Sequence, residues 1–388
     1  MNKKMGCILA FCTALGLAAC SSTGGEGGDT DKNSGSPVSQ APTKSPGTEN
    51  QGTTKEDSPT GNVPSPTDIP ESTEAVHGES ITTNGGEVIA LSALEHQDAG
   101  ADPVVYYTSD ISPEAMVAIY EALGDGLQGE NIAVKLSTGE PPASNYLDPE
   151  LIADLVKMVD GTIVECNTAY GGQRASTAMH YQVAEDHGFT AIADFVVLDE
   201  DGSMSLTVNG GTHLAENLVG AHFDEYDGYL VLSHFKGHAM AGFGGAIKNI
   251  SIGLGSTEGK CLIHTGGASH TSPWGGDQDT FTESMAEAGL SVVDALEGNI
   301  LYISVMNRLS IDCDCDGNPS EPDMHDIGIL ASTDPVALDQ ACVDLIYASG
   351  DDSASLKQRM ESRNALHVLA HGEEIGLGSR SYHLISID

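Results

Sequence analysis

The run Tyr229-Leu230-Val231-Leu232-Ser233-His234-Phe235-Lys236-Gly237-His238 carries the reading of the whole chain. Its first five residues, Tyr229–Ser233, form a short continuous apolar segment with no alternation. Such a segment suits a strand buried on both faces, as in a parallel sheet covered by helices. Its second half changes character at once to imidazoles, a lysine and a glycine. Chemistry placed just after a buried strand points to the carboxyl edge of an open α/β sheet, where ligands gather.

The flanking sequence repeats this alternation. Pro103–Tyr107, Ile132–Leu136, Thr162–Cys166, Phe195–Leu198, Ile300–Val305 and Ile327–Ala331 read as strands. Ser112-Pro113-Glu114 opens a helix through Leu123, with serine as N-cap and proline in the first turn. Asp148-Pro149-Glu150 opens a second helix to Val159, and Ala175–His187 a third that ends at Gly188. Helices follow over Glu283–Leu296, Pro335–Tyr347 and Leu356–His371. The expected fold is α/β: a largely parallel or mixed sheet covered by helices, in one large domain or two lobes.

Four segments after strands carry unusual residues. Glu165 closes one strand and is followed by Asn167-Thr168-Ala169-Tyr170-Gly171-Gly172-Gln173-Arg174. The second begins at His234 and continues to Gly242-Phe243-Gly244-Gly245-Ala246-Ile247-Lys248-Asn249. The third holds Asn307-Arg308 and then Cys313-Asp314-Cys315-Asp316, and the fourth is Ser332-Thr333-Asp334-Pro335.

Charge sharpens the choice among these residues. The 388-residue chain has 57 acidic and 16 basic side chains, a formal net charge of −41, which argues against nucleic acid as a partner. With bases so scarce, Lys236, Lys248 and Lys260 in one glycine-rich stretch with His234, His238 and His264 suggest a pocket for a phosphate or carboxylate. Glycine lets the backbone approach an anion and lysine supplies the charge, so Gly244 and Gly245 join Glu165, Asn167 and Arg174 as candidate ligand-binding residues. His234, Lys236, His238, Lys248 and Asn249 are the candidate catalytic group, with a histidine moving protons or holding a metal. No GxxxxGK[ST] or HExxH pattern occurs, which excludes a P-loop and a zinc-protease helix. Cys313 and Cys315 stand in a turn crowded with aspartates. They either join His234 and His238 around a soft divalent metal, close a disulfide, or serve packing alone.

The N-terminus reads as an address. Lys3 and Lys4 precede a short apolar stretch ending in Leu17-Ala18-Ala19-Cys20, a pattern that resembles the bacterial lipobox. That resemblance implies a signal peptide over 1–19 and lipid, palmitate included, on Cys20, anchoring an extracytoplasmic protein to the cell or outer membrane. Residues 20–85 are rich in Ser, Thr, Gly, Pro and acids and read as a tether, with the globular domain over 86–388.

Taken together, Thr162–Arg174, Ser233–His238 with Gly242–Asn249, and Cys313–Cys315 with Asp326–Ala337 resemble the domain-of-unknown-function family 362, from about Val104 to Tyr347. They are most similar to its branch of Fe–S centre proteins. Many members of that branch carry a ferredoxin-like insertion with two CxxCxxCxxxCP motifs. Here Gly259-Lys260-Cys261-Leu262-Ile263-His264 runs on to Glu283 without further cysteine, and no CxxC occurs in the chain. A [4Fe–4S] cluster is therefore not expected; the cofactor stays open, with a divalent metal as a candidate, and a small anionic molecule or a metal is the candidate partner. Two functions remain open: an enzyme of unknown reaction, or a non-catalytic lipoprotein that captures a metal ion or an anionic solute.

Overall fold

The protein was described in a computed structural model, which covers residues 78–388 apart from Asp125. The lipobox, Cys20 and the tether up to residue 77 lie outside the described residues.

The chain order is β1 (Ser80–Thr82), β2 (Val88–Ala90), β3 (Val104–Thr108), α1 (Pro113–Ala122), β4 (Ile132–Lys135), α2 (Pro149–Met158), β5 (Gly161–Glu165), α3 (Thr177–Asp186) and β6 (Phe195–Val197). It continues through β7 (Ser203–Thr207), β8 (Glu216–Gly220), β9 (Gly228–His234), β10 (Lys236–His238), β11 (Gly242–Gly244), α4 (Ala246–Ile250), α5 (Thr257–His264) and α6 (Gln278–Ala295). The last elements are β12 (Ile300–Met306), β13 (Gly328–Ser332), α7 (Pro335–Ala348), α8 (Ala354–Ser362), α9 (His367–Glu374) and β14 (His383–Ser386).

Eight strands form one mixed sheet in the order β14-β3-β13-β12-β9-β4-β5-β6. All its neighbours pair in parallel except β13, which is antiparallel to both β12 and β3. The alternation of side chains explains why its strands read as unbroken apolar runs. On β9, Tyr229 and Val231 enter the core under α4 to α9, while Leu230 and Leu232 enter the core under α1 and α2. On β12, Ile300 and Tyr302 take the first side, and Leu301, Ile303 and Val305 the second. Both faces are dry, so each strand is hydrophobic throughout.

The helix starts follow the capping chemistry. The Ser112 hydroxyl accepts the Ala115 N–H at 3.1 Å, and the Asp148 carboxylate accepts the Glu150 N–H at 2.9 Å. Asp334 accepts the Val336 and Ala337 N–H groups at 2.8 and 2.9 Å ahead of α7. Each is followed by a proline in the first turn, whose missing N–H costs nothing there.

Three expectations change. Order begins before residue 86, because Ser80–Thr82 pairs with Val88–Ala90 inside the segment read as tether. The α6 helix starts at Gln278 rather than Glu283, because the Asp277 carboxylate caps it. The helix expected over Leu356–His371 is two, α8 and α9, broken where Asn364 adopts φ 48°. Residues 78–388 fall in one unit, the first of the two arrangements read from the sequence. No helix among the described residues is long and apolar enough to cross a membrane.

Candidate functional site

Three neighbouring strands, β9, β4 and β5, end side by side, and the last residue of each is titratable: His234, Lys135 and Glu165. The loops beyond them enclose a cavity of about 100 Å³. His234, Lys236, His238, Gly244, Gly245, Lys248, Asn249, Glu165, Arg174, Cys313 and Cys315, all singled out in the sequence, line it. The long connection 307–327 reaches it because it leaves β12 at the carboxyl edge and returns as antiparallel β13 from that same edge. It is laid down there by backbone bonds from Gly237 N–H to Ser310 O (2.9 Å) and from Glu140 N–H to Asp314 O (2.7 Å). A side chain on Gly237 would collide with the Ile311 carbonyl, which is why glycine stands at that crossing.

The second wall comes from β10, β11 and α4. Asp339 of α7 accepts the Ala246 and Ile247 N–H groups at 2.7 and 3.0 Å, capping α4 from another helix. Burial holds the Asp339 carboxyl up at about 7. Gly245 is required because a β-carbon would occupy the space of that carboxylate. The cap aims Lys248 and Asn249 at the strand ends. Both ends of the Asn249 amide are used: Oδ1 accepts from Lys135 Nζ at 2.8 Å, and Nδ2 donates to Leu232 O (3.0 Å) and Ser233 Oγ (3.1 Å). Asn249 therefore positions Lys135.

A third group is anchored on Glu165. Its carboxylate accepts from Arg174 Nη1 (2.8 Å), the Thr138 N–H (2.9 Å) and the Thr138 hydroxyl (2.7 Å), and meets His180 Nε2 at 3.0 Å. Burial alone would raise this carboxyl. The Arg174 charge and the His180 contact overcome that and hold it well below the usual carboxylate range. Asn167 does not line the cavity. It bonds Thr177 Oγ1 at 2.9 Å and faces His180 Nδ1 at 3.4 Å, so it braces the cluster from behind.

The histidines have their nitrogens assigned by their partners. His234 Nε2 donates to Asn307 O at 2.6 Å, which leaves Nδ1 as the acceptor facing Lys236 Nζ at 2.6 Å. Lys236 also pairs with Asp314. His238 Nδ1 accepts the Met240 and Ala241 N–H groups at 3.3 and 2.9 Å, so its proton sits on Nε2. Burial first, then nearby cations, push both imidazoles well below their usual range, so both are neutral at pH 7.

Cys313 and Cys315 are bonded to each other. Donor atoms of His238, Cys313 and Cys315 lie within 4.8 Å of one another, a spacing at which one divalent ion could touch all three. His234 stands outside that group, which corrects the four-residue metal set read from the sequence. Its two nitrogens are taken by Asn307 and Lys236. The remaining described cysteines, Cys166, Cys261 and Cys342, are separate buried thiols, so no arrangement typical of a [4Fe–4S] cluster is seen among the described residues.

Electrostatics sets this cavity apart from the acidic chain around it. Lys135, Lys236, Lys248, Lys260 and Arg174 face it against the carboxylates of Glu165 and Asp314. Four of the five cations are satisfied internally. Lys135 donates to Leu136 O (2.6 Å) and Asn249, and Lys260 donates to Gly255 O (2.5 Å). Lys236 and Arg174 are paired as above. The Lys248 ammonium alone among them makes no ion pair or hydrogen bond within the described residues. Burial, reinforced by Lys135, Arg174 and Lys260, brings its ammonium down to about 7, and burial brings Lys135 down to about 8.

Lys135 and Asp314 escaped the sequence reading as site residues. The first had a signal, a lone lysine closing the apolar run Ile132–Val134 in a chain poor in bases. The second had one only in its place between two cysteines. Nothing local marks Asp339, His180 or Thr138, which reach the site from distant positions.

Residues 132–344 match the profile of the family described as "Domain of unknown function (DUF362)", more than half of the chain. The protein is a member of that family. Among curated proteins none matches. Two solved structures are similar at low identity. The lactate racemase apoprotein from Thermoanaerobacterium thermosaccharolyticum shares 15% identity over 58% of this chain and 55% of that one, with a TM-score of 0.33. A structural-genomics protein from Thermotoga maritima shares 12% over 60% and 57%, with a TM-score of 0.37. The chain thus spans little more than half the length of the solved chains it matches.

Proposed function

We propose that the cavity binds a small anion of the carboxylate or phosphate class, and that Lys248 pairs with it. The observation that carries this reading is the half-buried Lys248, whose ammonium has no acceptor among the described residues, in a cationic cavity of a strongly acidic protein. An uncompensated, partly desolvated ammonium destabilises the empty protein, and an incoming anion offsets that cost. His238 Nε2–H, without a protein partner among the described residues, is the second donor. A lysine titrating near neutrality also gives or takes a proton at pH 7, the property a general acid or base needs, so the site suits proton transfer on the bound anion as well as capture. With Leu17-Ala18-Ala19-Cys20, the reading becomes a lipid-anchored, extracytoplasmic protein whose pocket acts on, or holds, a small anionic solute.

A second reading rests on the approach of His238 to Cys313 and Cys315. Disulfide sulfurs are poor donors, so a metal would enter only after reduction, and binding through His238 Nε2 would move the ring proton to Nδ1 at the cost of the Met240 and Ala241 N–H bonds. The test is isothermal titration of the oxidised protein with inorganic phosphate and with oxalate, in parent and Lys248→Met. Binding by the parent and its loss in the variant support the anion. No binding of either anion, together with zinc uptake by the reduced parent, favours the metal.

A further inference from the structure

The Cys313–Cys315 disulfide stands in the wall of the cavity, on the connection from β12 to β13. Its two sulfurs are not equivalent. Cys315 is exposed and Cys313 is only 8% exposed, so a nucleophile arriving from solvent meets Cys315 first. Cys313 Sγ accepts the Cys315 N–H at 3.2 Å, a bond that strengthens when the sulfur becomes a thiolate. A ring nitrogen of His238 lies within 4.8 Å of both sulfurs. Disulfides within reach of solvent belong to the labile class rather than the structural one.

The surroundings favour a thiolate despite the three aspartates of the turn. Asp314 pairs with Lys236, and Asp312 meets Arg359 Nη2 at 3.5 Å. Lys135, Lys248 and Lys260 add positive charge to the same cavity. A sulfur whose thiolate is stabilised leaves faster in thiol–disulfide exchange. The turn is also held by bonds that do not involve sulfur: Asp316 N–H to Cys313 O (2.9 Å), Glu140 N–H to Asp314 O (2.7 Å) and Ala143 N–H to Gly317 O (3.0 Å). Opening the disulfide therefore leaves the two sulfurs adjacent and able to close again.

We propose that Cys313–Cys315 is a redox-active disulfide that exchanges with a soluble dithiol, with Cys315 as the sulfur attacked and Cys313 as the leaving group. One sulfur of the dithiol, as its thiolate, bonds to Cys315 Sγ. The Cys313–Cys315 bond breaks and its electron pair stays on Cys313 Sγ, beside the Cys315 N–H. The second sulfur of the dithiol then attacks the first, and the pair of the broken mixed disulfide stays on Cys315 Sγ. Two electrons pass from the dithiol to the protein, the dithiol becomes a disulfide, and the two protons it gave up are balanced by those Cys313 and Cys315 take. The reverse sequence oxidises a dithiol.

The experiment is reduction of the oxidised full chain by dithiothreitol under native conditions, with chelator present so that no metal holds the thiolates. The reference is a synthetic peptide of residues 309–321 closed by the same disulfide. Samples quenched in acid and alkylated are read by mass spectrometry. The native chain is expected to be reduced at least roughly tenfold faster than the peptide, because only the fold pairs Asp312 and Asp314 and brings the cavity cations near. A native rate equal to or below that of the peptide would overturn the proposal. Oxidised glutathione then locates the attacked sulfur: Cys315 in Cys313→Ser should take up glutathione at least roughly tenfold faster than Cys313 in Cys315→Ser, and equal or inverted rates refute the assignment. The comparison with the peptide uses the parent chain alone, so it decides even where a serine variant fails to fold. None of these readouts needs an anion in the cavity, so a failed phosphate titration and a failed exchange are separate results.

Discussion

Lys248→Met gives the sharpest test of the anion cavity, because it separates stability from binding. Burial lowers the folded-state pKa of Lys248 from 10.5 to about 7. The unfolded chain therefore binds its proton more tightly than the folded one over the interval between those values. Below pH 7 the protonated lysine carries its full penalty in the empty protein. As pH rises from 7 toward 10.5 that penalty shrinks, so this residue makes stability increase with pH. At about 1.4 kcal/mol per unit, moving from pH 6 to pH 9 relieves on the order of 2–3 kcal/mol. Methionine has similar length and no charge. The variant is expected to be more stable than the parent at pH 6 in the absence of anion, with an advantage that falls by about 1–3 kcal/mol by pH 9 once solvent penetration is allowed for. Urea unfolding at both pH values measures this. Adding a bound anion should reverse the order at pH 6, since it stabilises only the parent. A variant less stable than the parent at pH 6, or a stability difference that does not change with pH, would refute the argument that Lys248 is an uncompensated, partly desolvated cation.

Other perturbations address the remaining parts. Glu165→Ala removes one of the two carboxylates that hold the buried Arg174, leaving Glu140 at 3.3 Å, and also strands the Thr138 and His180 contacts; it should cost about 1–3 kcal/mol in denaturant unfolding. Because the Glu165 pKa is depressed, its contribution is present above the unfolded carboxyl range and lost as pH falls through the folded value. The parent should therefore lose more stability than Glu165→Ala on acidification. Thiol titration of the denatured domain spanning residues 78–388 should find Cys166, Cys261 and Cys342 without reductant, and Cys313 and Cys315 only after it. All five reacting at once would exclude the disulfide. Cys20→Ala should leave the protein unprocessed or free of the membrane fraction, and a processed, membrane-bound variant would exclude the lipid anchor.

The sequence by itself determined the α/β class, because dry faces on both sides of a sheet force continuous apolar strands, and Ser112, Asp148 and Asp334 mark helix starts with bonds only one turn long. It also named most of the cavity wall, since Gly237 and Gly245, the lysines and the histidines all stand close after β9 in a chain short of bases. Tertiary structure decided the rest. Asp339 caps α4 from 93 residues away, and Asp314 meets Lys236 across 78 residues. Lys135 becomes a site residue only because β4 lies between β9 and β5. The sequence also could not show which lysine remains unpaired. That depends on the acceptors the fold brings to each ammonium: the Leu136 and Gly255 carbonyls, Asn249, Asp314, and none for Lys248 among the described residues. His234 illustrates the same limit. Its pattern with His238 suits a metal, but a carbonyl from residue 307 and the ammonium of Lys236 claim both its nitrogens, and only the folded chain sets those contacts.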